Sequence, residues 1–291
     1  MRNFWWLFRR SLVLAYEDGC LGIAKGAAYS ALLCFFPLLT AVAAILVQVQ
    51  ARSVSGLVSH ALSRVVPPGS EALVLQNFRA GGARPVSLLV AATLLSIWAA
   101  SRVMTSLMEG FRAAYHIPAG RPFLRQQAMA ILLVLAAALP LVLASGLLLF
   151  GNRTEQAVMH WLGVNREWRE LQNWVKLAAM AARYLVAFVS NVAVAGVLYH
   201  LGPNRPQRWR LVWPGAITST VLWLVSTIGF AWYVRNIAGY NVLYGSIGAA
   251  IALLVWMYVL AAISLIGCEF NAEYERLRRP GTESQPARPA G

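Results

Sequence analysis

The sequence predicts an all-α polytopic membrane protein: six transmembrane helices, with short amphipathic helices on the outer face. Two observations carry this. Of 291 residues, 59% are hydrophobic and only 12% charged, whereas a soluble domain sits at about 45–50% apolar and about 25% charged. The apolar residues also fall in six continuous runs, 26–49, 86–108, 128–150, 177–201, 211–234 and 247–268. Each is close to the ~20 residues that cross a hydrocarbon core. β-barrel strands would alternate and be about half as long. The charge balance, 25 Lys+Arg against 11 Asp+Glu or a net +14, needs a separate account. A soluble DNA-binding domain carries such charge on a polar exterior, and a disordered basic tail lacks so much Leu, Val and Ala. No nucleic-acid partner is expected.

Residues 1–25 form a cytoplasmic arm. Their short apolar stretch meets Glu17 and Asp18, and no small-residue cleavage site precedes Cys20, so they do not read as a removable signal. Phe4, Trp5, Trp6 and Phe8 suit an interfacial helix with its aromatics among headgroups. Residues 26–270 make up the transmembrane domain. Within it, residues 53–66 repeat Leu57, Val58, Ala61, Leu62, Val65 and Val66 at helical spacing until Pro67, Pro68 and Gly69 stop the pattern. Residues 167–176 interleave Trp168, Leu171, Trp174 and Val175 with charges. Both read as amphipathic helices lying on the outer face. Residues 271–291 form a cytoplasmic tail, disordered from about 280, where Pro, Gly and Ser accumulate.

Lys and Arg set the orientation. The segments 1–25, 109–127, 202–210 and 269–291 hold fourteen of them, and the opposite loops hold nine. Loop 202–210 is the sharpest, with Arg205, Arg208 and Arg210 and no acid. Both termini are expected in the cytoplasm, with anionic headgroups meeting much of the charge. Only Arg102 and Arg183 lie inside spans.

The inventory for catalysis is thin. Asp18 is the one aspartate, and His60, His116, His160 and His200 fall in four separate segments with no ligand spacing. There is no phosphate-binding loop, dinucleotide fingerprint or nucleophile elbow. Cys20, Cys34 and Cys268 match neither a disulfide framework nor a zinc site. No enzyme activity, metal or cofactor is expected.

Polar groups inside spans are costly and tend to face a bundle interior. The fifth span aligns Gly215, Ser219, Leu222, Ser226, Gly229 and Tyr233 on one face. Such a stripe suits close helix packing or a polar path. The first span places Tyr29, Leu33, Pro37 and Thr40 on a face, with the proline freeing a backbone carbonyl. Arg102 and Glu109 share a side of the second span, where either an ion pair or a functional pair fits. In the fourth, Arg183 lies near enough to the outer end to snorkel, whereas Asn191 is mid-span. Ahead of the sixth, Tyr240, Asn241, Tyr244 and Ser246 with Gly245 and Gly248 offer hydroxyls and tight backbone near headgroup depth. Beyond it come Glu269 and Asn271. A carboxylate at a helix C-terminus is opposed by the dipole, so Glu269 is expected to take a cation, with Arg205 and its neighbours the candidates.

Three blocks of residues carry a family resemblance. The first runs from Ala27, Ala28 and Tyr29 to Phe35, Phe36, Pro37, Leu38 and Leu39. The second has Leu198 and Tyr199, then Gly202, Pro203, Asn204 and Arg205, then Trp213, Pro214, Gly215 and Ala216. The third extends through Trp223, Ser226, Phe230, Tyr233, Tyr240, Asn241, Tyr244, Gly245, Ser246, Ile247 and Gly248. It continues with Trp256, Met257, Tyr258, Gly267, Cys268, Glu269, Phe270, Asn271 and Ala272. Together they resemble the YihY/BrkB-type inner-membrane proteins of bacteria, once labelled ribonuclease BN. Cys34 and Cys268 stand where that family favours serine and alanine, swaps that conserve size. The resemblance implies six transmembrane helices, a bacterial inner membrane, and transport of a lipid, lipid-linked envelope component or amphipathic solute. A non-transporting scaffold for envelope assembly, with a homo-oligomer or envelope-protein partner, is the alternative. A membrane-embedded enzyme ranks last.

Overall fold

The computed structural model describes residues 2–48, 86–118, 120–138, 169–236 and 245–278. Among them the chain is helical throughout, without strands. The helices are α1 (Arg2–Glu17), α2 (Cys20–Gln48), α3 (Val86–Ala114), α4 (Phe123–Ala138), α5 (Arg169–Leu201), α6 (Trp209–Asn236) and α7 (Gly245–Arg278). Five contain stretches long and apolar enough to cross a membrane: Cys20–Leu39, Val90–Ala114, Met180–Leu201, Trp209–Val234 and Ala250–Arg278. α4 is the described part of the third span, and residues 139–150 of that span lie outside the described residues. The protein is an all-α, multi-pass membrane protein.

α1 buries Leu7, Ser11 and Ala15, positions four apart that form one stripe. Trp5 and Trp6 point away from the bundle. Asp18 and Gly19 turn the chain into α2. Gly19 holds φ +69°, a left-handed conformation that glycine adopts without steric cost. α2 then buries Cys20, Ala24, Ala27 and Ala28, small residues that let it approach its neighbours closely. It continues through Pro37 to Gln48. α3 runs beside it, with the Cys34 thiol donating to the Ser96 carbonyl at 3.7 Å. α4 wedges Ala130 and Leu133 between Met108 of α3 and Val197, Leu198 and Leu201 of α5. α7 is the hub, packing on α1, α2, α3 and α6.

Several boundaries differ from the expectation. From Arg169 onward, the amphipathic stretch 167–176 is the beginning of α5, continuous with the fourth span. The companion stretch 53–66 lies outside the described residues. The sixth helix does not end near residue 270 but continues to Arg278, with Asn271, Ala272, Glu273 and Glu275 buried. Hydropathy falls there, yet the helix persists because each polar side chain finds a protein partner.

Burial is uneven along every long helix. α2 is buried mainly from Cys20 to Ala28, α5 from Val192 to Gly202, α6 from Val212 to Thr220, and α7 from Ala261 to Glu275. Their other halves carry exposed apolar side chains such as Leu33, Phe36, Leu185, Val225 and Ile228, and α3 likewise exposes Leu94 and Trp98. At the buried end sit the described parts of 1–25, 109–127, 202–210 and 269–291. Contacts of Arg10 with Glu273, Arg205 with Glu275, and Arg121 with Gly202 join them. The segments grouped by charge thus share one end of the molecule.

Candidate functional site

The polar side chains that the fold gathers lie at this closed end, around the last four turns of α7. The backbones of α6 and α7 set the geometry. A Cβ on Gly215 would collide with the Gly267 carbonyl oxygen, and one on Gly267 would fall only 2.6 Å from Ser219 Cβ. Glycine is required at both positions because the two helices touch main chain to main chain. Ser219 is buried in this seam, its hydroxyl returned to the Ala216 carbonyl at 3.1 Å. The half of the small-residue stripe nearest the closed end is therefore a packing seam. Further along, Ser226 is half-buried and a Cβ on Gly229 would meet nothing within 4 Å among the described residues.

Asn271 locks the seam. Its Oδ1 accepts from the Gly215 N–H at 2.6 Å, and its Nδ2 donates to the Val212 carbonyl at 2.9 Å. These groups flank Pro214, which has no N–H and crowds the preceding turn. The side chain ties α7 to α6 through one accepted and one donated bond to backbone groups beside the proline. Nearby, the buried Tyr199 hydroxyl donates to the Ser264 carbonyl at 2.8 Å, and its ring meets Phe111 edge-on.

Below the seam three carboxylates leave α7. Glu273 is paired with Arg10 at 2.7 Å and Arg276 at 3.5 Å, and Glu275 with Arg205. Arg205 also lies over the Tyr115 ring, 4.5 Å from its centre. Burial pushes the Tyr115 phenol well above its ordinary range, with Cys268 and Glu275 adding to the effect. Glu269, fully buried, accepts from the Cys20 thiol at 3.5 Å, and Asp18 stands beside it. The expected pairing of Glu269 with Arg205 does not form, although Arg276 acts on Glu269 electrostatically. Arg205 pairs instead with Glu275, six residues on and roughly 9 Å further along the helix axis. The premise also fails, because Glu269 stands well inside α7 rather than at its C-terminus.

Loop and helix-end geometry complete the closed end. Arg121 donates to the carbonyls of Gly202 and Leu201 at 2.9 Å and of Pro203 at 3.3 Å. It thereby caps the last, unpaired carbonyls of α5 with a cation, as the helix dipole favours. α3 ends in a paired-bond cap, with Ile117 N–H to Arg112 O at 3.0 Å and His116 N–H to Ala113 O at 2.9 Å. His116 occupies the left-handed position, φ 51°, that such caps normally give to glycine. Its Nδ1 lies 3.8 Å from Asp18 Oδ1. Asp18, Glu109, Arg112 and His116 line one surface cleft.

The remaining sequence candidates do not converge on this end. Tyr29 is 61% exposed on α2, with Leu33 outward on the same face, and Pro37 is half-buried. Arg102 is exposed, its guanidinium 5.8 Å from the Trp98 ring centre, and among the described residues no ion pair joins it to Glu109. Asn191 is half-buried in α5, while Arg183 contributes only its backbone position, its side chain being outside the described set. Ser246 lies in the first turn of α7, likewise by backbone alone. Tyr240, Asn241 and Tyr244 fall outside the described residues. Sequence reasoning missed Asp18, Cys20, Glu273 and Arg121 as site residues. One signal was available: Glu269, Glu273 and Arg276 recur at steps of four and three, one helical face beyond the apolar run.

Among the described residues no group of three or more His, Cys, Asp or Glu is placed to hold a metal ion. Residues 14–291 match the sequence profile of a family described as virulence factor BrkB. The chain belongs to the BrkB family. Relatives of this BrkB-family protein include YfkH of Bacillus subtilis, whose name describes it as ribonuclease-like. It is 29% identical over 67% of each chain. A UPF0761 membrane protein of Chromobacterium violaceum is 28% identical over 72% of this chain and 47% of its own. Another from Vibrio cholerae is 36% identical over 31% of this chain and 30% of its own. The chain thus spans about half the length of one relative and about a third of another. No solved structure matches it.

Proposed function

We propose that this integral membrane protein moves a lipid, lipid-linked envelope component or other amphipathic solute across the bacterial inner membrane, with both termini cytoplasmic. One observation carries the reading. Every long helix is sealed at one end, by the glycine seam, Asn271 and the Arg–carboxylate pairs, and exposes apolar surface at the other. On α5, residues 180–182 and 184–186 are exposed where described, which covers more than one side of the helix. Among the described residues, a bundle closed at one end and apolar-surfaced toward the other suits a molecule with an apolar tail and a polar head. Asn191, Ser226 and the Gly229 gap are the polar and small positions between the two halves. The acidic and arginine residues of the closed end act as a gate in this reading, not as chemistry.

The test is reconstitution into proteoliposomes with a fluorescent-headgroup phospholipid, followed by quenching from outside. Faster loss of protection than in protein-free vesicles is expected, reduced several-fold by Asn191→Leu or Ser226→Leu. Absence of any flux, together with recovery of a stoichiometric partner on gentle detergent extraction, would replace this reading with the scaffold, which would bury the same apolar surface against partner helices.

A further inference from the structure

The surface cleft beside α3 brings both signs of charge to one place. Asp18, Glu109, Arg112 and His116 line it, with Ile23 and Ile117 among its apolar walls, around a volume of about 470 Å³. That size is within the range of small-molecule sites. Glu109, Arg112 and His116 follow one another at steps of three and four, so one face of α3 carries all three. Glu109 and Arg112 are spaced to pair, yet among the described residues no ion pair or hydrogen bond joins their side chains. Asp18 is mostly buried. Its Oδ1 faces His116 Nδ1 at 3.8 Å, and its Oδ2 has no hydrogen-bond donor among those residues. The cleft thus holds carboxylate acceptors short of donors and a guanidinium short of an acceptor. A simple anion entering it meets two carboxylates, and a simple cation leaves Arg112 unmatched. A ligand that carries an ammonium and an anion a few bonds apart answers both.

Depth narrows the choice. The apolar span of α2 starts at Cys20, just after Asp18, and that of α3 ends at Ala114, just before His116. The cleft therefore stands where hydrocarbon gives way to headgroups, with Ile23 and Ile117 beside its charges. We propose that it binds the zwitterionic headgroup of an ethanolamine phospholipid. Arg112 takes the phosphate, while Glu109 and Asp18 accept from the primary ammonium. The site gives the transport reading a headgroup class, and rests on that reading for any step after binding.

The experiment is native mass spectrometry of the full chain in detergent, offered ethanolamine, choline and glycerol phospholipids of identical acyl chains in equal amounts. Retention is read without flux, so binding and transport can fail separately. The ethanolamine lipid is expected to be retained about tenfold over the choline lipid, whose quaternary ammonium has no N–H to donate. Glu109→Gln should bring the two lipids close together. Arg112→Gln should weaken both and keep their ratio, because the phosphate is common to them. Both side chains reach the surface cleft and hold no partner in the fold, so these variants keep the wild-type structure. Equal retention of the three lipids overturns the proposal, as does an ethanolamine preference unchanged in Glu109→Gln. Preference for the glycerol lipid would replace it with simple attraction of anionic lipid to the basic end. Displacement of the ethanolamine lipid by an equal concentration of soluble glycerophosphoethanolamine would overturn the lipid assignment in favour of a soluble zwitterion.

Discussion

At the residue scale, the closed end depends on side chains that do two things at once. Asn271 satisfies a donor and an acceptor on either side of Pro214. Asn271→Ala should destabilise the protein by about 1–3 kcal/mol, because two buried hydrogen bonds that tie α7 to α6 are lost. Asn271→Asp, which keeps the acceptor alone, should fall between, as detergent unfolding curves would reveal. His116 presents the opposite case. Its left-handed backbone costs about 1 kcal/mol for a non-glycine residue, and its ring is more than half exposed. Thermal unfolding of His116→Gly should therefore show a higher midpoint than wild type; an unchanged or lower one would mean that the contact with Asp18 outweighs the strain. The residue types at such positions were visible in the sequence, but their partners were not. Asp18 precedes Glu269 by hundreds of positions, and no spacing rule links them.

At the element scale, α6 and α7 explain why one stripe of small residues plays two roles. Gly215→Ala places a methyl group against the Gly267 carbonyl. It should cost about 2 kcal/mol or more, because the obstacle is main chain that cannot rotate away. Gly229→Ala meets nothing, removes backbone entropy from the unfolded chain, and should stabilise by about 0.5–1 kcal/mol. Comparing the two variants in one unfolding assay separates seam from open face; equal effects would refute that division. The helices themselves were legible from hydropathy, because a span of ~20 apolar residues has few alternatives in a bilayer. Their ends were not. Hydropathy marks where lipid stops, whereas α7 continues for ten residues past 268, its buried acids and amide held by arginines, a thiol and the α6 backbone.

At the scale of the whole molecule, the basic segments grouped by charge meet at one end, tied by Arg10, Arg121 and Arg205. Arg121 bridges the segment after α3 to the end of α5. Arg121→Ala should lower the melting temperature and loosen protease resistance in the segment 202–210, while Arg121→Lys restores part of it. Topology is checked separately. In a background where Cys20, Cys34 and Cys268 are alanine, Arg9→Cys and Arg208→Cys should both react with an impermeant maleimide in inverted vesicles and neither in intact cells. Opposite labelling of the two would overturn the shared end.

The sequence by itself determined the class of protein, the approximate position of the five spans that the described residues contain, and the grouping of its basic loops. It could do so because the bilayer acts on each segment locally, through apolar length and charge. It also suggested the resemblance that the BrkB-family match then established. Only the tertiary structure decided which polar residues meet. It showed that Glu269 faces Cys20 and Asp18 rather than Arg205, that Asn271 binds the α6 backbone beside Pro214, and that Tyr29 and Leu33 turn outward. Those pairings depend on helix rotation and crossing. The contacts that set them, such as Gly215 on Gly267, join residues far apart in the chain and leave no periodic trace within either helix.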